Sequence, residues 1–130
     1  MPDIASTLTA RLLGYSRLSA LVGIRVFPGF LPQGTPKPAV YYEQTGFGSV
    51  SAMGTDDGIE ETEWDIHIVA DSYASMKAVQ GQTKAALKRW KQDSGFRVLD
   101  TFILDEYDGY VDETKEHLGT IEIKIQHQTV

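Results

Sequence analysis

The sequence predicts an α+β domain in which a mainly antiparallel or mixed sheet carries two helices on one face. Two segments repeat apolar residues at helical spacing, and five others are β-branched and aromatic or alternate apolar with polar residues. These elements follow the order helix, strand, strand, strand, helix, strand, strand. Because successive strands are joined by short links, antiparallel pairing is favoured, and the helices then cover one face of the sheet.

The first helix is predicted over residues 4–13. Ile4, Leu8 and Leu12 recur every four residues and therefore share one helical face. Asp3 precedes them and is a suitable N-cap, since its carboxylate can accept a hydrogen bond from a free backbone amide. A turn or second helical piece is predicted over residues 16–21 and an extended segment over residues 25–27. A proline-rich surface loop follows over residues 29–38 and a strand over residues 39–45.

The stretch from residue 45 to residue 58 is predicted to be a long loop. It contains four glycines and two serines, but also the apolar residues Phe47, Val50 and Met53. A loop of this length in a compact domain usually has a function, such as contact with a partner.

A long strand is predicted over residues 59–70, where Trp64, Ile66 and Ile68 alternate with polar residues. One face of this strand is therefore expected in the core and the other in solvent. Ser72 is expected to cap the second helix. That helix is predicted over residues 72–92, and a strand follows over residues 98–107. A polar hairpin loop over residues 108–117 then leads to a last strand over residues 118–127.

Length and composition exclude several classes of protein. The 130 residues suit a single domain, residues 1–130, with one apolar core. The absence of cysteine excludes disulfide scaffolds, thiol catalysis and cysteine-based zinc sites. No apolar run is long enough to span a bilayer and the N-terminal residues lack the pattern of a signal peptide, so a cytoplasmic origin without a membrane partner is expected.

No residue pattern indicates an enzyme or a cofactor. The sequence contains no nucleophile-elbow or phosphate-loop motif, and its three histidines are scattered. One group has metal-ligand chemistry, and it consists of Glu61, Glu63, Asp65 and His67. Alternate residues of a strand project in parallel, however, about 7 Å apart. A solvated or interface-facing strand is therefore favoured over a metal site.

The charges are segregated along the chain. The formal net charge is −6, with six carboxylates and no cation between residues 56 and 65. Seven further carboxylates and a single lysine lie between residues 100 and 116. The predicted second helix instead carries a lysine stripe, which is either a solvated face or a contact for the acidic segments of another copy. Unlike patches of this kind can pair head to tail and close a ring.

The order and spacing of several segments resemble the tail completion proteins of long-tailed phages and prophages, which are the minor tail or tail terminator proteins of siphophages. The segments concerned are Leu21–Pro28, Pro32–Gly34, Pro36–Tyr42, Trp64–Ala70, the helix opening Asp71–Tyr73 and the closing hairpin. The resemblance extends from about Leu8 to Ile125 and includes no catalytic signature.

The resemblance implies a structural subunit of the virion, assembled in the bacterial cytoplasm, that forms a hexameric ring at the head-proximal end of the tail tube. Such a ring ends tube growth and joins the tail to the head, so the implied partners are further copies of the chain, the major tail protein and the head–tail connector protein. Six copies carry a formal charge of −36, six times −6. An acidic channel would let DNA pass without binding it. Whether the subunit is monomeric before it meets a tube end is left open.

Three sets of residues are assigned to these contacts. The loop that docks on the tube or connector is assigned Phe47, Val50, Met53, Asp56 and Asp57. The subunit interface is assigned the lysine stripe, Lys77, Lys84, Lys88 and Lys91. The lumen is assigned one of two acidic segments, which are Glu61, Glu63 and Asp65 or the segment from Asp105 to Glu113 that includes Asp105, Glu106 and Asp108.

Two alternatives to this role remain. The first is another ring component of the same particles, such as a connector or a tube subunit. The second is a small ligand-binding or enzymatic α+β domain with a pocket between sheet and helices, which would place polar residues inside. The residues expected inside are instead nearly all apolar, and they are Trp64, Ile66, Ile68, Met76, Leu87, Ile121, Ile123 and Ile125.

Overall fold

The computed structural model describes residues 3–52, 55–93 and 96–128, with residues 49–52 and 55–57 as backbone only. Three helices and five strands lie in this part of the chain. They are α1 (Ile4–Gly14), α2 (Ser16–Val22), β1 (Val26–Pro28), β2 (Ala39–Ala52), β3 (Thr55–Ala70), α3 (Tyr73–Leu87), β4 (Arg97–Val111) and β5 (Glu116–Gln128).

The five strands form one mixed sheet in the order β1-β2-β3-β5-β4. β1 runs parallel to β2 and pairs with residues 40–42 only, whereas all other neighbours are antiparallel. The predicted α+β fold with a mainly antiparallel sheet is confirmed. α2 confirms the helical alternative predicted for residues 16–21 and brings the number of helices in the described residues to three.

A single buried cluster joins the three helices to every strand of the sheet. All residues predicted to lie inside are buried, and they are Trp64, Ile66, Ile68, Met76, Leu87, Ile121, Ile123 and Ile125. α3 approaches the sheet closely at Gly119, where an added Cβ would lie 2.7 Å from the Met76 Sδ atom. Both predicted N-caps are present, because the Ser6 amide donates to Asp3 and the Ser75 amide donates to Ser72.

The predicted loop over residues 45–58 is wrong. Residues 45–52 and 55–58 instead extend β2 and β3 as a hairpin. The register shifts twice, between Gln44 and Gly46 and between Val50 and Ser51. Gly58, whose φ of 72° favours glycine, lies opposite the second shift. Glycine and serine lower strand propensity, but the bulges absorb the irregular residues and let pairing continue.

The predicted end of the second helix near residue 92 is also wrong. α3 ends at Leu87, because Lys88 has an extended backbone and Arg89 has a left-handed one, with φ 56°. The Arg89 amide donates to the Thr101 carbonyl over 3.0 Å, and its guanidinium donates to both carboxylate oxygens of Asp100. Contacts with β4 therefore replace the last predicted turn of this helix.

The alternation of side chains gives the sheet two different faces. The helix-covered face holds Trp64, Ile66 and Ile68 of β3, all buried. Glu63 and Asp65 of β3 point to the opposite side, which we call the open face. Among the described residues, no helix combines the length and the apolar composition needed to cross a bilayer.

One ionisable group is buried on the helix-covered face. His127 is 2% exposed, and its Nε2 atom lies 3.2 Å from the Thr62 hydroxyl, which also accepts a hydrogen bond from Trp64. Burial lowers the pKa of His127 below the ordinary value of 6.5, and the Glu60 carboxylate at 4.0 Å only partly opposes this. His127 is therefore neutral in the folded state near neutral pH.

Stability should consequently fall as the pH drops through 6.5, because the unfolded chain then binds a proton that folded His127 resists. We expect urea midpoints measured between pH 7.5 and 5.5 to fall less steeply for His127→Gln than for the unaltered chain. His117→Gln, at a less buried histidine, should keep the steep dependence. Equal slopes for the unaltered chain and His127→Gln would contradict this account.

Candidate assembly surfaces

We call the β2–β3 hairpin, residues 45–52 and 55–58, the arm. Its outer part, residues 51, 52 and 55–58, extends past the end of β5 among the described residues. Within the described part of the chain, β5 pairs with β3 as far as Ile59 opposite Gln128. Residues 55–58 of β3 therefore have β2 as their only strand neighbour there. A protruding hairpin of this kind can reach a neighbouring molecule.

The docking residues assigned from the sequence all belong to the arm. Phe47 lies on it with 61% of its surface exposed. Val50, Asp56 and Asp57 are placed by their backbone, and Met53 lies outside the described residues. Their assignment to docking remains a prediction, now on a hairpin and not on a loop.

Two stretches of sheet edge have no strand beside them among the described residues. One comprises residues 43–52 of β2, because β1 covers only residues 40–42. The other comprises residues 102–111 of β4, because the segment after α3 covers β4 only near Val98 and Thr101. Since three antiparallel steps separate β2 from β4, these two free edges run in opposite directions. Free edges are templates for pairing with another chain.

Half of the predicted lysine interface is engaged within the subunit. The Lys77 ammonium lies 3.1 Å from Asp108, and the Lys84 ammonium lies 2.9 Å from Glu106. The Lys77 ammonium lowers the pKa of the Asp108 carboxyl, with a smaller effect from the Tyr73 hydroxyl. These pairs join α3 to β4, so Glu106 and Asp108 lie on the helix-covered side and not with the other acidic residues assigned to the lumen.

A second group of cations lies at the β4 edge. This basic corner consists of Lys88, Arg89, Lys91 and Arg97. Arg89 pairs with Asp100 and Arg97 pairs with Asp93, at 2.6 and 3.4 Å. Lys88 and Lys91 have no ion pair within 4 Å in the described part of the chain. Because Arg97 stands opposite Gln128, and Gln128 opposite Ile59, the basic corner and the arm lie at the same end of the sheet.

The open face carries a line of carboxylates that crosses four strands. Glu43 of β2 pairs with Asp65 of β3, Asp65 with Glu122 of β5, and Glu122 with Asp105 of β4. We call these four residues the acid row. Like charges directly opposite each other on a sheet are destabilising. Burial and then the neighbouring Glu122 raise the pKa of the Asp65 carboxyl.

A histidine lies against one end of the acid row. The His67 Nε2 atom is 3.0 Å from the Glu43 carboxylate, and its Nδ1 atom is 3.2 Å from the Thr120 hydroxyl. One ligating atom each of Glu43, Asp65 and His67 lies within 4.8 Å of the others. The distance argument from the sequence treated one strand alone and missed Glu43, which the neighbouring strand brings to the group. The sequence shows that both strands alternate polar with apolar residues. It does not show which residues of the two strands pair.

The fold is shared with proteins of known structure. A chain described as part of the virion of a native gene transfer agent particle matches with a TM-score of 0.70 and 18% identity, covering 99% of this chain and all of its own length. A second solved chain matches with a TM-score of 0.57 and 18% identity, covering 98% of this chain and 99% of its own. Among curated protein sequences, none matches significantly. These likenesses establish the fold.

The family follows from the sequence match. Residues 6–128 match the family described as tail completion protein gp17, and the chain belongs to that family. The membership confirms the resemblance drawn from the sequence and makes the protein a structural component of phage-type tails.

Proposed function

We propose that the protein is a ring-forming subunit at the head-proximal end of the tail tube, where it ends tube growth and joins the tail to the head connector. Family membership over residues 6–128 is the observation that carries this proposal. The role requires no catalytic step. A connector or tube subunit of the same particles remains the second candidate, because the fold of a virion chain is compatible with either place.

The two free sheet edges support a head-to-tail contact between copies. Pairing the free edge of β4 in one copy with that of β2 in the next would continue the antiparallel order. The next copy would be displaced along the strands, because residues 43–52 and 102–111 lie towards opposite ends of the sheet. The two edges differ, so each subunit offers one of each kind, and repetition closes into a ring when the rotation permits. Six copies are the number that the family resemblance implies.

The charges at the two edges support the same contact. The arm and the start of β3 carry Asp56, Asp57, Glu60 and Glu61 without any cation. The basic corner lies at the opposite edge of the sheet and at the same end. We infer that the head-to-tail contact places the outer part of the acidic arm of one copy near the basic corner of the next. Lys88 and Lys91 take the role that the sequence assigned to all four lysines.

The open face is the surface that we assign to the lumen. It holds Glu61, Glu63, Asp65 and Asp105, with Lys124 opposite Glu63. Glu106 and Asp108 leave the proposed lumen set because each pairs with a lysine of α3. A channel wall with excess carboxylates repels the DNA backbone, so DNA slides through without being held.

Charge reversal tests the subunit contact. Lys88→Glu with Lys91→Glu should weaken ring formation, and so should Asp56→Lys with Asp57→Lys, whereas combining all four changes should restore it. Each exposed ion pair contributes only about 0.2–1 kcal/mol, so two reversals per contact are needed. Native mass spectrometry with added tail tubes measures assembly. Lys84→Glu is the control, since it breaks an ion pair within the subunit.

No weakening by either double reversal, or no recovery in the quadruple variant, would contradict the proposed charge pairing. Circular dichroism of each variant separates loss of assembly from loss of folding.

Replacement of residues 47–57 by a flexible Gly-Ser linker tests the arm. The buried cluster that the structure describes includes none of these residues, so the protein should fold, yet tails should lack completion and particles should not become infectious. Phe47→Ser should reproduce part of this loss. Phe30→Ser is a matched control, because Phe30 is also an exposed phenylalanine but lies outside the arm.

Electron microscopy of tail ends and particle titres provide the measurements. Normal titres from the arm replacement would refute the docking role of the arm, and an equal defect in Phe30→Ser would remove its specificity.

A further inference from the structure

We propose that Glu43, Asp65 and His67 form a binding site for a divalent transition-metal cation of the zinc type. The site lies on the open face, and its existence depends on neither ring formation nor the tail role proposed above. One ligating atom from each of the three residues lies within 4.8 Å of the others, so small side-chain rotations would let a single ion contact all three.

The His67 imidazole distinguishes this site from a plain acidic cluster, and residues other than the proposed ligands hold it in place. The His67 ring stacks on the Tyr41 ring, with centroids 4.7 Å apart, and its Nδ1 atom lies 3.2 Å from the Thr120 hydroxyl. His67 is partly buried between these neighbours. The ring orientation is therefore set by Tyr41 and Thr120, and its Nε2 atom lies 3.0 Å from the Glu43 carboxylate.

The Thr120 hydroxyl allows His67 to change its tautomer. Without metal, the Nε2–H group can donate to Glu43, 3.0 Å away, while Nδ1 accepts from Thr120. When a cation binds, Nε2 must offer its lone pair, and the proton then belongs on Nδ1. A hydroxyl both donates and accepts, so Thr120 can receive that Nδ1–H bond. Metal-bound histidines usually donate their other ring nitrogen to such a partner.

The acid row supplies the electrostatic reason for a cation. Asp65 stands between Glu43 and Glu122, and among the described residues its carboxylate has no hydrogen-bond partner or ion pair. A divalent ion at Asp65 would relieve repulsion between facing carboxylates. The donor set of one imidazole and two carboxylates suits zinc, cobalt or nickel, whereas magnesium and calcium prefer oxygen alone. Water would fill the other coordination positions of a bound ion.

Calorimetric titration of the untagged full chain with Zn²⁺ near neutral pH tests the site. We expect one ion per chain, with affinity reduced roughly tenfold or more in His67→Gln and in Asp65→Asn. Thr120→Val should weaken binding roughly tenfold through loss of the Nδ1 partner, and Thr120→Ser should restore it. His117→Gln is the matched control, a histidine that also lies beside aromatic rings and should leave the affinity unchanged.

A measurement on the unaltered chain removes any dependence on how the variants fold. Substoichiometric Co²⁺ should broaden the imidazole NMR signals of His67 and spare those of His117 and His127. Absence of saturable binding, affinity retained in His67→Gln, or equal broadening of all three histidines would each overturn the proposal.

Discussion

The choice of which β3 side chains face the helices determines most of the chemistry on the exposed side of the sheet. Because neighbouring residues of a strand point to opposite faces, burying Trp64, Ile66 and Ile68 under the helices forces Glu63, Asp65 and His67 onto the open face. A slip of one residue would bury carboxylates and expose the core. The apolar set therefore fixes the register, and the register in turn assembles the acid row from four strands.

The same alternation places the charged residues in two different environments. On the helix-covered side, Glu106 and Asp108 of β4 meet lysines of α3 and join helix to sheet. On the open face, the carboxylates of the acid row meet each other, and His67 forms a hydrogen bond with one of them, Glu43. Charges on the first side hold the subunit together, whereas those on the second side are available to an ion, to DNA or to another protein.

Sequence alone predicted the features that depend on local pattern and burial. The caps at Asp3 and Ser72, the alternation in β3 and the apolar interior all follow from neighbouring residues. The extension of β2 through residues 45–52 does not follow from neighbouring residues, because pairing with β3 outweighs a composition typical of loops. The early end of α3 depends on Arg89 reaching Asp100 and Thr101, which no helical pattern reveals. Glu43 joins His67 only through the register of two strands.

In the proposed ring, copies join by pairing the free edge of β2 with the free edge of β4. The chain contains no cysteine, so introduced cysteines report contacts without background. Variants with one cysteine at Gln44 or Phe47 and one at Leu104 or Tyr107 should, on tail-tube ends under oxidising conditions, give a ladder of disulfide-linked oligomers that ends at a closed ring. Rings that assemble on tube ends without any such cross-link, or that cross-link in variants with a single cysteine, would contradict the account.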